Sequence, residues 1–516
     1  MELAGKERGT KRKHSGDQTR SSGNSTTTNQ RHTPASHHAA LEPIFRQEQA
    51  AATQQLPAIE PTREAKVVVH SEEYFKDLYS TEPDFYQLGV EHPEFGAVLK
   101  NGSQLDFTDP KSVMQLTKTL LKADFNLQIR LPPDRLCPPV PNRHNYILWL
   151  KDLLDSSSTS YTDCYEPERR VTGLDIGTGA SLIYPLLGCA QRPSWHFVAT
   201  DIDTTSLQYA HHNARLNGLE HRIRILSRRA SERLIPLDDL GLNSIDFVMV
   251  NPPFYTSDEE LASLAAQKSK PPSTACTGAP NEMVCDGGEV GFIQRMLRES
   301  LVTTNRVQWY TAMLGKQSSL EILVDNLKEL NIDNYAITTF IQGTKTRRWA
   351  IAWSFINRRP SMSSSRGYSM PNAKRLLPPA TQIVINEHSF GEALHSIVQI
   401  EEVLNDTISA LDMTSWSWSK HDHRGVGFSH GDVWSRAYRR KKAREDPNAA
   451  QQAYKIDLAD SGLCSFGFSI RVELPAALDQ PPTVVVRWLR GGDHALFESF
   501  AGVIRRRLRE SKASTE

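Results

Sequence analysis

Val171-Thr172-Gly173-Leu174-Asp175-Ile176-Gly177-Thr178-Gly179-Ala180-Ser181 decides the fold. A short apolar run enters a Gly-Thr-Gly turn, and the glycines let the chain turn tightly while a ligand approaches the backbone. The helix predicted to follow turns its N-terminal N–H groups toward that ligand. A lone GxG occurs in many turns, so its neighbours must support it. Trp195-His196-Phe197-Val198-Ala199-Thr200 is a second buried-strand run, and it ends on Asp201. An acid about 20 residues past a glycine turn, at the next strand tip, binds ribose hydroxyls in nucleotide-type folds. From Thr204 to Gly218, Leu207, Ala210, Ala214 and Leu216 recur at helical spacing, and Asn217-Gly218 is a stop signal.

A third run, Asp246-Phe247-Val248-Met249-Val250, stops abruptly at Asn251-Pro252-Pro253-Phe254. The tetrapeptide suits one chemical problem, holding a planar amino group while it attacks an electrophilic methyl. The Asn251 side-chain carbonyl and the Pro252 backbone carbonyl can each accept one N–H, which aims the nitrogen. Phe254 offers a face for a flipped base. A strand followed by a Pro-rich turn with an Asx cap explains the tetrapeptide alone equally well. The order glycine turn, acidic tip, NPPF favours the chemical reading, because ligands of open α/β sheets bind outside the carboxyl ends of the strands.

Further motifs complete a resemblance. They are Leu105-Asp106-Phe107-Thr108-Asp109-Pro110; Arg135-Leu136-Cys137-Pro138-Pro139-Val140-Pro141-Asn142-Arg143; Ile183-Tyr184-Pro185-Leu186-Leu187-Gly188; Gly287-Gly288-Glu289; Met313-Leu314-Gly315-Lys316; and Arg348 through Phe355. Over roughly Tyr74 to Phe355 the chain resembles RNA adenine-N6 methyltransferases of the methyltransferase-like 16 type, which modify U6 small nuclear RNA and have bacterial relatives acting on 23S ribosomal RNA. The resemblance implies a Rossmann-like class I methyltransferase with a seven-stranded sheet and S-adenosylmethionine as cofactor. It implies cofactor contacts at Arg143, Gly177, Ser181, Asp201 and Asn251, and a catalytic motif at Asn251, Pro252, Pro253 and Phe254. Asp175 and Gly179 of the turn join the cofactor set. Asp175 could equally cap the glycine turn. Arg143 is placed in a rigid loop before a helix over Tyr146 to Leu154, to meet the cofactor carboxylate. Animal relatives carry a longer acid at the Asp201 position. The stretch Tyr255 to Asp286 looks longer than its counterpart and resembles a loop beside the active site.

The 516 residues carry 60 basic and 60 acidic side chains. With no net charge to attract nucleic acid, RNA binding must rely on local patches. Candidates are Lys345, Arg347 and Arg348; Arg439, Arg440, Lys441 and Lys442; and Arg505, Arg506 and Arg507. Six irregularly spaced cysteines suggest reduced thiols, and no metal site is expected. No apolar run reaches membrane-spanning length.

Four parts are expected. Residues 1–66 form a polar, disordered tail whose basic cluster, Lys6 to His14, suggests nuclear import. Residues 67–358 form the methyltransferase domain, closed by a hairpin of Tyr335 to Ile341 and Trp349 to Phe355 turning at Gly343. Residues 359–378 read as a linker. Residues 379–516 read as an α+β domain with strands at Thr381 to Asn386, Phe466 to Glu473 and Thr483 to Leu489, helices over Phe390 to Leu404 and Ala495 to Arg509, and a disordered insert from Ser435 to Ala453. Trp416 and Trp418 are core or base-stacking candidates; by analogy with animal relatives, whose C-terminal domain helps grip RNA, the domain is expected to do the same, and a stabilising or dimerising domain is the alternative. The leading function is an RNA adenine-N6 methyltransferase acting as a monomer on U6 or another structured small RNA. The alternatives are an amino methyltransferase on ribosomal RNA or protein glutamine, and a catalytically weak RNA-binding protein.

Overall fold

The strand tips that carry the motifs belong to one mixed sheet of order β10-β8-β9-β7-β6-β3-β4-β5 in a computed structural model of the chain. The structure describes residues 70–257, 259–260, 278–342, 346–368, 373–386, 390, 394, 396–444, 464–474 and 482–510. The expected tail and the Gly343 turn lie outside them. A small ladder of β1 (Leu99–Lys100) and β2 (Gln104–Leu105) precedes the sheet. The sheet's parallel part is β3 (Val171–Ile176), β4 (Trp195–Asp201), β5 (Ile223–Ser227), β6 (Ile245–Val250) and β7 (Val307–Leu314). Then β9 (Thr346–Trp353) runs antiparallel between β7 and β8 (Tyr335–Gln342). These make the expected number of seven, of which β5 and β7 were not placed from the sequence. An eighth, β10 (Arg366–Gly367), pairs with β8 and comes from the stretch read as a linker.

Helices cover both faces, so central strands are buried throughout; all eight residues of β7 are buried. One core packs the helices Val140–Ser156 and Ile183–Gln191 against Phe197, Phe247 and Trp309. The other packs Gly288–Thr303 and Gln317–Glu329 against Val248, Tyr310 and Ile351. Gly173 is glycine for packing reasons: a Cβ there would lie 2.1 Å from Phe247 Cζ on the neighbouring strand. Local chemistry sets the boundaries. Asp109 caps Pro110–Phe125 by accepting the Lys111 and Ser112 N–H groups, and Asn126 ends that helix in the left-handed region.

A second sheet, of order β11-β15-β14-β13-β12, is fully antiparallel. Its strands are β11 (Gln382–Ile385), β12 (Ser415–Ser419), β13 (Arg424–Ser429), β14 (Phe466–Glu473) and β15 (Thr483–Arg490), packed on Ile397–Ser409 and His494–Glu510. The three expected strands and the last helix are present. Two strands, β12 and β13, were not expected. The first helix starts at Ile397 rather than Phe390, because Ser396 and Gln399 form a reciprocal capping box there. The start of the expected disordered insert is instead the helix Arg436–Lys442, capped by Ser435; residues 445–453 lie outside the described residues. Trp416 and Trp418 pack against the sheet core rather than standing free, and Trp416 donates to Asn405 Oδ1.

The two sheets sit in one compact unit, and the stretch after residue 358 is packed rather than slack. Arg359, 2% exposed, lies over the Trp488 ring, donates to the Gly491 carbonyl and pairs with Asp333. Arg487 on β15 pairs with Asp163 and donates to the Ser156 carbonyl. Arg424 on β13 pairs with Asp163 as well. All the catalytic-side partners lie at the start of β8, the end of β9, or between Val140–Ser156 and β3. That is the end of the large sheet opposite the tips of β3, β4 and β6.

Candidate active site

Three parallel strands end side by side, and each delivers its motif to the same edge. Ile176 leads into Gly177 (φ 69) and Gly179 (φ 65), whose left-handed backbone explains the glycines. The Gly177 and Thr178 N–H groups bond the Thr200 carbonyl, which closes the turn. Asp201, at the end of β4, accepts the Gly179 N–H at 2.8 Å and the Asp203 N–H at 2.9 Å. So Asp201, not Asp175, caps the glycine turn.

Asp175 is 1% exposed, and neither of its carboxyl oxygens has a hydrogen-bond partner within the protein. Burial pushes its pKa up to about 7; the nearby Thr178 hydroxyl opposes the shift, although it stands outside hydrogen-bond geometry, the neighbouring Asp201 adds to it, and Arg143 opposes it. Thr178 Oγ1 beside it is buried and unpartnered too, as is Asn251 Oδ1 at the tip of β6. Buried polar atoms without partners are rare in folded proteins, and four at one edge mark a site that receives something polar. A Cβ on Gly177 would meet nothing within 4 Å, so that side of the turn is open.

Arg143 corrects an expectation. It stands within the helix Val140–Ser156, not in a loop before it, because Pro139 and Pro141 sit at the helix start, where a missing N–H costs nothing. It is 5% exposed and touches Met313 Sδ at 3.2 Å and the Tyr184 ring at 5.6 Å; among the described residues it has no ion-pair partner. A buried cation with no carboxylate at ion-pair distance fits an anionic group of a ligand. Ser181, 6% exposed, sits in the same turn.

After Asn251, Pro252 is buried and Phe254 half-buried. The Phe254 ring rests against Gly315 and has the Arg348 guanidinium 5.7 Å from its centroid. The chain leaves at Tyr255 and returns at Val284, the two bridged by backbone bonds from Tyr255 N–H to the Met283 carbonyl and from Cys285 N–H to the Tyr255 carbonyl. Most of the intervening loop lies outside the described residues. Two carboxylates escaped the sequence reading. Glu282 Oε2 accepts the Leu136 and Ala279 N–H groups, tying the returning loop to the proline-rich segment. Glu289 holds the turn after β7. The GGE match was the available signal for Glu289; for Glu282 none stood out.

A glycine turn capped by the acid of the next strand, beside a proline-locked amide, defines a class I methyltransferase. A family profile described as RNA methyltransferase matches residues 65–357, more than half of the chain. The chain belongs to that RNA methyltransferase family, and its cofactor is S-adenosylmethionine. It is 36% identical over 414 residues to a Schizosaccharomyces pombe "U6 small nuclear RNA (adenine-(43)-N(6))-methyltransferase", covering 80% of this chain and 97% of the relative. It is 38% identical over 296 residues to the human "RNA N(6)-adenosine-methyltransferase METTL16", covering 56% of this chain and 50% of that protein. A crystal structure of the human catalytic domain with a MAT2A 3'UTR hairpin is 37% identical, with a TM-score of 0.48, over 56% of this chain and 95% of that one. The chain thus spans nearly all of the yeast relative and about half of the human one.

The residues fit the cofactor. Arg143 would hold its carboxylate, Asp201 its ribose hydroxyls, and Asp175 with Thr178 its cationic side, around the backbone of Gly177, Gly179 and Ser181.

Proposed function

We propose that the chain methylates N6 of an adenine in a structured small RNA, U6 small nuclear RNA first among them, and that Asn251 through Phe254 hold the reacting base. The observation that carries the reading is the buried, unpaired Asn251 Oδ1 at the tip of β6. An exocyclic amine is a poor nucleophile because its lone pair is delocalised into the ring. Accepting its two N–H bonds at Asn251 Oδ1 and the Pro252 carbonyl orients the nitrogen for in-line attack. S-adenosylmethionine, when bound, supplies a methyl activated by the sulfonium. Phe254 stacks on the flipped base, and Pro252 and Pro253 keep the acceptors rigid. No nucleophilic side chain is required. A single-stranded or bulged adenine suits the site because extruding it costs little.

Exposed basic runs on the second domain, Arg505 to Arg507 on His494–Glu510 and Arg439 to Lys442 on Arg436–Lys442, support an RNA grip away from the active site. Lys345 lies outside the described residues, as does the basic cluster behind the nuclear expectation; a nuclear site of action goes with a U6 substrate, and we read the protein as a monomer.

The test is transfer of labelled methyl to total small RNA and, in parallel, to total protein, by wild type and Asn251→Ala. The reading expects N6-methyladenosine in one small RNA, abolished in the variant while RNA affinity holds. Label only in protein would overturn it in favour of a glutamine enzyme. An Asn251→Ala protein with full activity would remove the tetrapeptide from the mechanism.

A further inference from the structure

The turn against which the Phe254 ring rests is held by a buried carboxylate, Glu289. Gly287 and Gly288, both in left-handed conformations, start the helix Gly288–Thr303 hard against the catalytic tetrapeptide. A Cβ on Gly288 would come within 3.1 Å of Thr256 Cγ2 and 3.4 Å of the Phe254 carbonyl oxygen. The next residue, Glu289, is 2% exposed. Its Oε2 accepts the Gly315 N–H at 2.6 Å, and its Oε1 accepts the Lys316 N–H at 3.1 Å. Gly315 is also where the Phe254 ring rests. A Cβ there would lie 2.9 Å from Phe254 Cδ1 and 3.3 Å from Glu289 Oε2. Ring and carboxylate therefore meet on one residue, whose lack of a side chain lets them. The same turn reaches the loop that follows the motif: Lys316 Nζ pairs with Glu260 at 2.9 Å and lies 5.9 Å from the Tyr255 ring centroid.

We propose that Glu289 is a positioning residue: by fixing the Gly315–Lys316 turn it sets where the Phe254 ring stands, and so where the target base stacks above Asn251. A carboxylate suits this role because each of its two oxygens takes one of two adjacent backbone N–H groups and neither oxygen is a donor. Burial raises the Glu289 pKa, and the bonds from Ser319, Gly315 and Lys316 oppose the shift. The proposal rests on Phe254 being the base platform, so its test carries that premise as a separate arm.

The experiment is a double-mutant cycle on methyl transfer, with Glu289→Gln, Phe254→Ala and the pair. Glutamine keeps the shape but turns an N–H donor toward one of the two donors. The expected result is a kcat loss on the order of 10- to 100-fold for Glu289→Gln, with cofactor Kd and RNA KM unchanged, and a double variant no slower than Phe254→Ala alone. Gly315→Ala, whose methyl would press first on the Phe254 ring and less closely on Glu289 Oε2, should give the same loss and the same lack of additivity. It also carries the test if Glu289→Gln fails to fold. Independent, multiplying losses would overturn the inference, because Glu289 would then act on stability or elsewhere. So would an unchanged kcat for Glu289→Gln beside a slow Phe254→Ala. An unchanged kcat for Phe254→Ala would instead remove the platform itself.

Discussion

Asp175 shows how one residue can be chosen correctly and understood only in part from sequence. Its position between an apolar run and a glycine turn identified it, but a capping role and a ligand-facing role were equally open. The structure separates them, because the turn's N–H goes to Asp201 and both Asp175 oxygens stay unpaired. This has a pH consequence. Burial pushes the pKa of the Asp175 carboxyl up to about 7, with Asp201 acting the same way and Thr178 and Arg143 the other. A sulfonium cation favours the carboxylate, so cofactor binding releases a proton when it takes place below that pH. Affinity should therefore rise with pH, by about tenfold between pH 6 and pH 8 for a single group titrating there. Titration calorimetry in buffers of different ionisation enthalpy would measure both the Kd and the proton released. Asp175→Asn should flatten the profile, and an unflattened one would assign the proton to another group. Arg143 was legible as a residue but not in its place, since two prolines beside it suggest a rigid loop while they also suit the first turn of a helix.

At the scale of elements, legibility followed the side chains. The parallel strands β3, β4 and β6 read clearly because both faces are buried and the apolar runs are nearly continuous, whereas β5 and β7 were not singled out. Strands β12 and β13 did not. Ser415-Trp416-Ser417-Trp418-Ser419 alternates, but three serines and a following Lys-His-Asp-His look like loop, and Arg424-Gly425-Val426-Gly427 carries two glycines that read as punctuation. The structure gives those glycines a packing purpose: a Cβ on Gly425 would fall 2.1 Å from Trp416 Cη2, and one on Gly427 2.6 Å from Phe468 Cζ. Strand glycines that make room for aromatic rings on neighbouring strands are invisible until the register is known. Gly425→Ala should therefore destabilise the second domain by about 1–3 kcal/mol through overpacking. Thermal unfolding followed by tryptophan fluorescence would report it, and a variant as stable as wild type would show that Trp416 swings aside freely.

Across the whole molecule, the two sheets join at the end of the large sheet remote from Asn251. Reversing Arg505, Arg506 and Arg507 to glutamate should raise RNA Kd and flatten its salt dependence by about one unit of slope per lost phosphate contact. Cofactor Kd should stay as it is, and an unchanged RNA Kd would place the grip elsewhere. The join was not readable from composition, because serines, prolines and arginines between residues 359 and 378 look like spacer whether or not they are packed. That join also bears on how the protein is dissected. A chain cut after residue 378 would keep Asp163 and Arg359 and lose Arg487, Arg424, Trp488 and Gly491, which accompany them. The stump would carry stranded charges where a sealed seam had been, so weak activity in such a fragment would report a wound rather than the absence of an RNA grip.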